Sequence, residues 1–248
     1  MTAPASPRFT CLIPAYDEAA RIGGVLDAVV GHPLIAAVIV VDDGSRDATA
    51  AVAEARGARV VRTPGNLGKT RALAAGLQAV TTSHVVLIDA DLVGLTPAAI
   101  TALVEPVRRG LASAAISLRG NAPLTWRLIG IDYISGERVF STALLAGQSS
   151  RLARLPRFGF EVFLNDRLIE TGTTLAIVLW PGVASPSKAA KRGLRAGVRA
   201  DLAMMADIFR TVSPLTCLKQ IVSLRGLAER SARPPSPVPS GCIPRPPA

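Results

Sequence analysis

The chain has few residues of the kinds that bind zinc or form disulfides, with two histidines and three cysteines among its 248 residues. Clusters of Cys and His at metal-binding spacing are missing, which disfavours zinc chemistry. The cysteines, Cys11, Cys217 and Cys242, are far apart in the sequence. Because Cys11 falls in a predicted buried strand, we expect reduced thiols and a cytoplasmic protein rather than a disulfide framework.

Long apolar runs are missing as well. No stretch reaches the roughly 20 uninterrupted apolar residues that a membrane-spanning helix needs. The best run, residues 174–180, has the length and β-branched content of a strand. Residues 1–7 are polar and proline-rich, unlike a secretory signal. We therefore expect a protein without membrane spans, in the cytoplasm or at the cytoplasmic face of a membrane.

Acidic residues are scarce in the second part of the chain. Residues 1–150 carry 13 Lys and Arg against 12 Asp and Glu, whereas residues 151–248 carry 15 against 6. The formal net charge of +10 should attract phosphate groups, either on a nucleotide or on an anionic membrane surface. Nucleic acid is disfavoured because the basic part lacks aromatic side chains on which bases could stack.

Short apolar runs alternate with helical patterns over residues 8–115. The predicted strands are 9–13, 37–41, 58–62, 85–88 and 112–116, with helices at 18–30, 47–56, 69–80 and after Pro97. This order predicts an α/β fold with a mostly parallel sheet flanked by helices. Farther along, the apolar spacing predicts a helix over 124–147, a strand over 172–180 and a basic amphipathic helix over 187–212.

These patterns divide the chain into four parts. We expect a disordered N-terminus over residues 1–7 and one domain over residues 8–212. A C-terminal helical extension should follow over residues 213–230. Seven prolines between Pro234 and Pro247 predict a disordered, proline-rich tail over residues 231–248.

Two carboxylates, Asp89 and Asp91, directly follow the buried run 84–88. Ligands of open α/β sheets bind at the carboxyl ends of the strands, where these side chains should emerge. Two acidic groups this close repel each other unless a cation lies between them. Mg²⁺ or Mn²⁺, which also takes phosphate oxygens as ligands, suits this pair. The pair therefore predicts a metal that binds a nucleoside diphosphate, with a solvated or helix-capping pair as the alternative.

Three more polar loops should reach the same edge. The first strand runs into Pro14-Ala15-Tyr16-Asp17-Glu18, where Tyr16 can stack on a base and Glu18 can bind sugar hydroxyls. The second strand ends in Val41-Asp42-Asp43-Gly44-Ser45. After the third strand, Lys69 begins a helix, a position that favours phosphates. Each loop alone fits an ordinary helix cap, but the four together predict a nucleotide site.

The motifs Pro14–Glu18, Val41–Ser45 and Asp89–Leu92, in this order, resemble family 2 glycosyltransferases with the GT-A (Rossmann-like) fold. Among these, the dolichyl- and polyprenyl-phosphate sugar synthases are most similar. The resemblance covers roughly residues 8–212 and weakens after about residue 120. It implies a metal-dependent, inverting transfer of a hexose from a UDP- or GDP-sugar. For the acceptor we expect a polyprenyl phosphate, and for the chain we expect peripheral contact with an anionic membrane.

The resemblance also implies roles for individual residues. The donor site would contain Pro14, Ala15, Tyr16, Glu18, Val41, Asp43, Lys69, Asp89, Ala90, Asp91, Arg119 and Lys188. Within it, Asp89 and Asp91 would hold the metal, while Arg119 and Lys188 would add positive charge near the phosphates. Asp91 and Arg119 would thereby take part in catalysis. Residues 134–140 resemble the family's Gly-aromatic-Arg segment near the acceptor.

Three departures from the family pattern concern the acceptor side. Val93 lies where a polar side chain is usual, Glu137 replaces an aromatic residue, and residues 181–183 lack an expected arginine. A phosphate acceptor is already ionised, whereas an alcohol acceptor needs a general base. Glu137 and Glu161 are the candidates for that base, and a salt bridge to an arginine is the alternative role for Glu161.

Alternatives remain open at two levels. The acceptor could be a soluble molecule or an alcohol. In other functional classes, the chain could be a nucleotidyltransferase or a non-catalytic nucleotide-sugar-binding protein. The first class usually has a glycine- and Arg/Lys-rich loop after its first strand, where this chain has residues 14–18.

Overall fold

The structure is a computed structural model that describes residues 7–122, 124–152, 154–155, 159–186 and 213–232. Seven strands form one sheet: β1 (Phe9–Ala15), β2 (Ile35–Asp42), β3 (Arg59–Arg62), β4 (His84–Leu87), β5 (Ala114–Arg119), β6 (Arg138–Ser141) and β7 (Leu175–Trp180). Their order across the sheet is β3-β2-β1-β4-β6-β5-β7. Only β6 runs antiparallel to its neighbours, β4 and β5. The predicted mostly parallel α/β sheet is confirmed.

Helices cover both faces of the sheet. In chain order they are α1 (Ile22–Val29), α2 (Thr49–Ala55), α3 (Lys69–Gln78), α4 (Pro97–Arg108), α5 (Leu124–Ile129), α6 (Ser149–Leu152), α7 (Gly159–Glu170) and α8 (Pro214–Ala232), with a 3₁₀ helix over Thr142–Leu145. The strand residues alternate between two cores. Along β1, for example, Leu12 packs into the core under α3, while Cys11 and Ile13 pack into the core under α1 and α4. This alternation follows from the two-residue repeat of a strand.

The predicted helix over residues 124–147 is wrong beyond its first six residues. Gly130 has a φ of +79°, and the N–H groups of Gly130 and Ile131 both donate to the Trp126 carbonyl. A left-handed glycine with such bonds ends a helix. The chain then forms β6, where Val139 packs on one face of the sheet and Phe140 on the other. The prediction failed because apolar residues that belong to two separate cores have the spacing of one helical face.

Helix α8 packs against the same core as the sheet. Cys217, Ile221, Leu224 and Leu227 are buried on its inner face, and Tyr133 donates a hydrogen bond to Gln220 from below. The division of the chain at residues 212 and 213 stays a prediction. The predicted helix over 187–212, and the N-terminal and proline-rich segments except residues 7 and 231–232, lie outside the described residues.

Two cysteines lie in the described part of the chain, and both Cys11 and Cys217 are free and buried. Burial raises the pKa of the Cys11 thiol far above its ordinary value, which keeps this thiol protonated and unreactive. Across the described residues, no helix combines the length and the apolar composition needed to cross a bilayer.

Candidate active site

A cleft of about 230 Å³ opens at the carboxyl ends of β1 and β4. The described residues that line it are Pro14, Ala15, Tyr16, Glu18, Asp43, Lys69, Ala72, Asp89, Ala90 and Asp91. These residues come from the end of β1, from the loops after β1, β2 and β4, and from α3. The structure thus brings together nine of the residues that the sequence assigns to the donor site, although their roles stay predictions. Ala72 was not predicted, because a small residue inside a helix carries no signal of its own.

The first two loops are bound to each other. The Asp17 N–H donates to Ser45 Oγ at 3.0 Å, and the Arg46 N–H donates to Asp17 Oδ1 at 2.7 Å. The Glu18 N–H donates to Thr49 Oγ1 at 2.8 Å. Asp17 has a φ of +53°, a strained conformation for a residue with a side chain. These bonds hold that conformation and fix the wall of the cleft formed by Tyr16 and Glu18.

Asp43 joins the second loop to the third. Its carboxylate accepts hydrogen bonds from the Leu67 N–H at 2.9 Å, the Gly68 N–H at 2.7 Å and the Thr63 hydroxyl at 3.0 Å. Only 3% of Asp43 is exposed. A carboxylate has about four acceptor positions, so Asp43 retains capacity for one further donor from a ligand. Because the bonded Gly68 directly precedes Lys69, Asp43 also fixes the position of Lys69, the first residue of α3.

Lys69 lies between two carboxylates at the floor of the cleft. Its Nζ is 2.8 Å from Asp89 Oδ1 and 2.9 Å from Glu161 Oε1. Burial alone lowers the pKa of Lys69, but the charges of Asp89 and Glu161 outweigh burial and raise it above its ordinary value. Lys69 is therefore a permanent cation at physiological pH. The predicted salt bridge of Glu161 exists, but its partner is Lys69 rather than an arginine.

The carboxylates of Asp89 and Asp91 line this one cleft. Within the described part of the chain, no group of three or more Asp, Glu, His or Cys side chains is placed to hold a metal ion. Mg²⁺ is typically bound through one or two carboxylates, with waters and substrate phosphates as further ligands. Asp89 and Asp91 therefore fit a metal that is shared with a phosphate ligand, and they do not fit a metal held by the protein alone.

Arg119 and Glu137 form a buried polar cluster beside the cleft. Arg119 pairs with Asp132 at 3.3 Å and with Glu137 at 3.4 Å, and it donates to Ser185 Oγ. Neither Arg119 nor Glu137 is among the residues that line the cleft. Asp132 could not be predicted from the sequence, because a lone acidic residue between apolar neighbours resembles any surface position.

Glu137 is not placed to act as a general base. Its side chain is fully buried, and its Oε2 accepts hydrogen bonds from Ser117 Oγ and Ser135 Oγ, each at 2.8 Å. Burial raises the pKa of Glu137, while the charge of Arg119 opposes this rise. Its carboxylate thus has partners inside the protein and has no access to an acceptor in the cleft.

The remaining residues of the predicted donor site are Val41 and Lys188. The Val41 side chain is fully buried in the core beneath α3, so it cannot face a nucleoside. Lys188 lies outside the described residues. Val93, at the position where a polar side chain is usual in the family, is 56% exposed, and its backbone pairs with that of Ala184.

Comparison with known proteins shows which family this chain resembles. The model of "Glycosyl transferase family 2" matches residues 10–146. A 4,4'-diaponeurosporenoate glycosyltransferase from Staphylococcus aureus is 36% identical over 101 residues, which cover 39% of this chain and 27% of that protein. The chain therefore spans about a quarter of the length of the curated relatives that it matches.

Solved structures extend the similarity to most of the chain. Glucosyl-3-phosphoglycerate synthase from Mycobacterium tuberculosis, in complex with phosphoglyceric acid, superposes with a TM-score of 0.65 and 26% identity, over 82% of this chain and 80% of that one. Its complex with Mn²⁺, uridine diphosphate and glucosyl-3-phosphoglycerate gives a TM-score of 0.64. Its complex with Mg²⁺ and uridine diphosphate also gives 0.64.

Proposed function

The chain belongs to glycosyl transferase family 2, and on that premise we propose that it transfers a hexose, with inversion, from a nucleoside-diphosphate sugar to an acidic acceptor. One observation carries this proposal: Asp89, Asp91 and Lys69 line the same cleft as Tyr16 and Glu18. Groups suited to a metal, to phosphates and to a nucleoside thus meet in one place. This combination is what binding of a nucleotide-sugar donor requires.

Asp89 and Asp91 would hold Mg²⁺ or Mn²⁺ together with the donor diphosphate. Such an ion, when bound, neutralises the negative charge that develops on the departing nucleoside diphosphate. The similar solved structures support this assignment because they contain Mn²⁺ or Mg²⁺ together with uridine diphosphate. The two carboxylates of this chain offer the oxygen ligands that both ions prefer.

Lys69 would also bind the donor phosphates, in addition to the metal held by Asp89 and Asp91. It is the first residue of α3, and Gly68 precedes it at the N-terminal end of that helix. A helix N-terminus carries partial positive charge and unpaired N–H groups, both of which favour phosphate. The raised pKa of Lys69, caused by Asp89 and Glu161 against the opposing effect of burial, keeps its ammonium group charged. Arg119, which lies nearby, would add fixed positive charge.

The acceptor is proposed to carry an ionised phosphate or carboxylate. The similar proteins are named for a diaponeurosporenoate and for phosphoglycerate, and both names denote acids. A polyprenyl phosphate belongs to the same chemical class. Where that ionised group is itself the nucleophile, as in a polyprenyl phosphate, no strong general base is needed, which agrees with the burial of Glu137 and the pairing of Glu161 with Lys69.

The replacement Asp91→Ala tests the donor site. We expect it to lower the metal-dependent release of nucleoside diphosphate at least about 100-fold, because loss of a metal-binding carboxylate weakens the hold on the leaving group. Release would be measured with UDP- and GDP-sugars, with Mn²⁺ and with excess chelator. Acceptors would be polyprenyl phosphate, phosphoglycerate and an alcohol. Asp27→Ala, which removes an exposed carboxylate, is the matched control.

Each result has a definite meaning for the function. Undiminished turnover by the Asp91 variant, or in chelator, would contradict the metal site. Release of pyrophosphate would point to a nucleotidyltransferase, and absence of any release by the wild-type protein would point to a binding protein. A preference for the alcohol acceptor would overturn the proposal of an acidic one.

We also propose that the outer face of α8 contacts an anionic membrane. Leu215, Leu218 and Val222 follow one another at helical spacing, and each is about 60% exposed (62%, 59% and 64%). Lys219 and Arg225 lie on the same exposed side, and the whole chain carries a net charge of +10. Apolar side chains flanked by basic ones are typical of helices that bind at a lipid surface. This contact would bring a lipid acceptor to the cleft.

Sedimentation with vesicles tests the membrane contact. We expect the protein to sediment with phosphatidylglycerol vesicles at low salt, and far less with phosphatidylcholine vesicles or at high salt. The replacement Leu218→Asp should reduce sedimentation, whereas Leu111→Asp, at an equally exposed leucine outside α8 (63%), should not. Equal sedimentation of the two variants, or none by the wild-type protein, would refute the contact.

A further inference from the structure

Gly136 lies directly against the carboxylate of Asp89. A Cβ atom built on Gly136 would be 2.4 Å from Asp89 Oδ2, 2.5 Å from Oδ1 and 2.6 Å from Cγ. Real Cβ atoms do not approach other heavy atoms this closely. The carboxylate of Asp89 can therefore keep its position only because residue 136 has no side chain.

The backbone conformation of Gly136 does not explain its identity. The φ of Gly136 lies outside the left-handed region, unlike that of nine other glycines in the described residues. A residue with a side chain could adopt this backbone conformation without strain. The contact with Asp89 is thus the physical reason for a glycine at this position.

The loop that carries Gly136 is held firmly on both sides. Ser135 Oγ and Ser117 Oγ each donate to Glu137 Oε2 at 2.8 Å, and the Ser117 N–H donates to the Glu137 carbonyl at 3.1 Å. Arg138 Nε donates to the Ser135 carbonyl at 2.7 Å. Since all of these groups are buried, the loop cannot easily move away from Asp89.

On its other side the Asp89 carboxylate meets Lys69, with 2.8 Å between Nζ and Oδ1. We infer that Gly136 is a positioning residue: with Glu137 anchoring its loop, it fixes the orientation in which Asp89 presents its oxygens to the metal that the donor phosphates share. This inference rests on the proposed function for its metal, but the packing itself can be tested without one. Glu137 then has a structural role, because it anchors the loop that carries Gly136.

The replacement Gly136→Ala is the direct test. Its methyl group should force the Asp89 carboxylate to rotate, and we expect the affinity for Mn²⁺ to fall about 10- to 100-fold, as when an outer-shell partner of a metal ligand is lost. Titration with Mn²⁺ in the presence of saturating UDP, followed by electron paramagnetic resonance, measures this affinity. The concentration of Mn²⁺ that gives half-maximal activity should rise in parallel. Gly24→Ala, at an exposed helix position with nothing within 4 Å of the added Cβ, should leave both values unchanged.

Unchanged Mn²⁺ affinity in Gly136→Ala would overturn the inference. If this variant is destabilised, thermal unfolding without metal decides. Because the clash is with the carboxylate of Asp89, Asp89→Ala should remove it, so adding Gly136→Ala to Asp89→Ala should not lower the melting temperature by more than about 1 °C. A double variant that is as destabilised by the alanine as the wild type, or that does not fold, would overturn the inference.

The outcomes also separate this inference from the proposed function. A wild-type protein that binds no Mn²⁺ in the presence of UDP would count against the proposed function, while the unfolding comparison of the single and double variants would still test the contact between Gly136 and Asp89. A wild-type protein that binds Mn²⁺ as tightly as Gly136→Ala does would leave the function intact and overturn the positioning role.

Discussion

At the scale of single residues, the site depends on how charges are paired. Lys69 contacts both Asp89 and Glu161, so one ammonium group links a predicted metal ligand to α7. Only 7% of the Glu161 side chain is exposed, and an unpaired carboxylate at such a place would be costly. We therefore propose that Glu161 holds Lys69 in position for the donor phosphates.

Glu161→Gln tests this role. Hydrogen bonds to charged groups contribute about 1.5–3 kcal/mol, so we expect kcat/KM for the donor to fall about 10- to 100-fold, chiefly through a higher KM. Steady-state kinetics with varied donor measure the change. Glu170→Gln, on the same helix but at a half-exposed ion pair with Arg167, should have almost no effect. Equal kinetics of the two variants would contradict the role, and a loss of kcat with an alcohol acceptor alone would assign Glu161 as its base.

The sequence predicts these residues to different degrees. Tyr16, Asp43 and Asp89 could be predicted because each follows a strand, and strand ends of a parallel sheet share one edge. The burial of Glu137 could not be predicted, since it depends on Ser117 and Ser135 closing around its carboxylate. The burial of Val41 could not be predicted either, because a motif gives the position of a residue in the chain but not the direction in which its side chain points.

At the scale of whole elements, α8 shows two faces with different chemistry. Its inner face buries Leu224 completely, whereas its outer face leaves Leu218 59% exposed. The inner face packs with α7 and β7 in the core that also contains Tyr133. Helix α8 should therefore contribute to the stability of the sheet domain, rather than being attached to it by the chain alone.

A pair of matched substitutions on α8 tests this contribution. We expect Leu224→Ala to lower the free energy of unfolding by about 2–5 kcal/mol, because it leaves a cavity in the core. The same change at Leu218 should cost less than about 0.5 kcal/mol, because that side chain is on the surface. Urea unfolding measures both values. Equal effects of the two substitutions would mean that α8 does not pack as the structure shows.

Strand β6 is among the elements that sequence patterns failed to predict. Its pairing is nonlocal, because it pairs with β4 and β5 and runs against both. Both pairings depend on partners that lie tens of residues away in the chain. Local spacing of apolar residues does not contain that information, so a helix was the closer match to the pattern.

At the scale of the whole molecule, the early part of the sheet follows from simple rules. Strands β1 to β4 pair in parallel, and helices connect them, as the alternation of apolar runs predicts. The family resemblance based on those same loops is confirmed by the match over residues 10–146. The order of β6, β5 and β7 had no such local signature, and neither did the packing of α8 on the core.

The reversed direction of β6 has a consequence for how the cleft is assembled. Leu87, near the end of β4, lies opposite Arg138, the first residue of β6. The parallel strands meet the cleft at their C-terminal ends, whereas β6 meets it at its N-terminal end. Gly136 and Glu137 therefore precede their strand in the chain, whereas the cleft loops follow theirs. The segment that supports Asp89 thus has the opposite chain polarity to the strands that lead into the cleft. A one-residue insertion ahead of β6 would displace Gly136 and Glu137 while the parallel strands keep their register, so its effect would reach the cleft through Asp89.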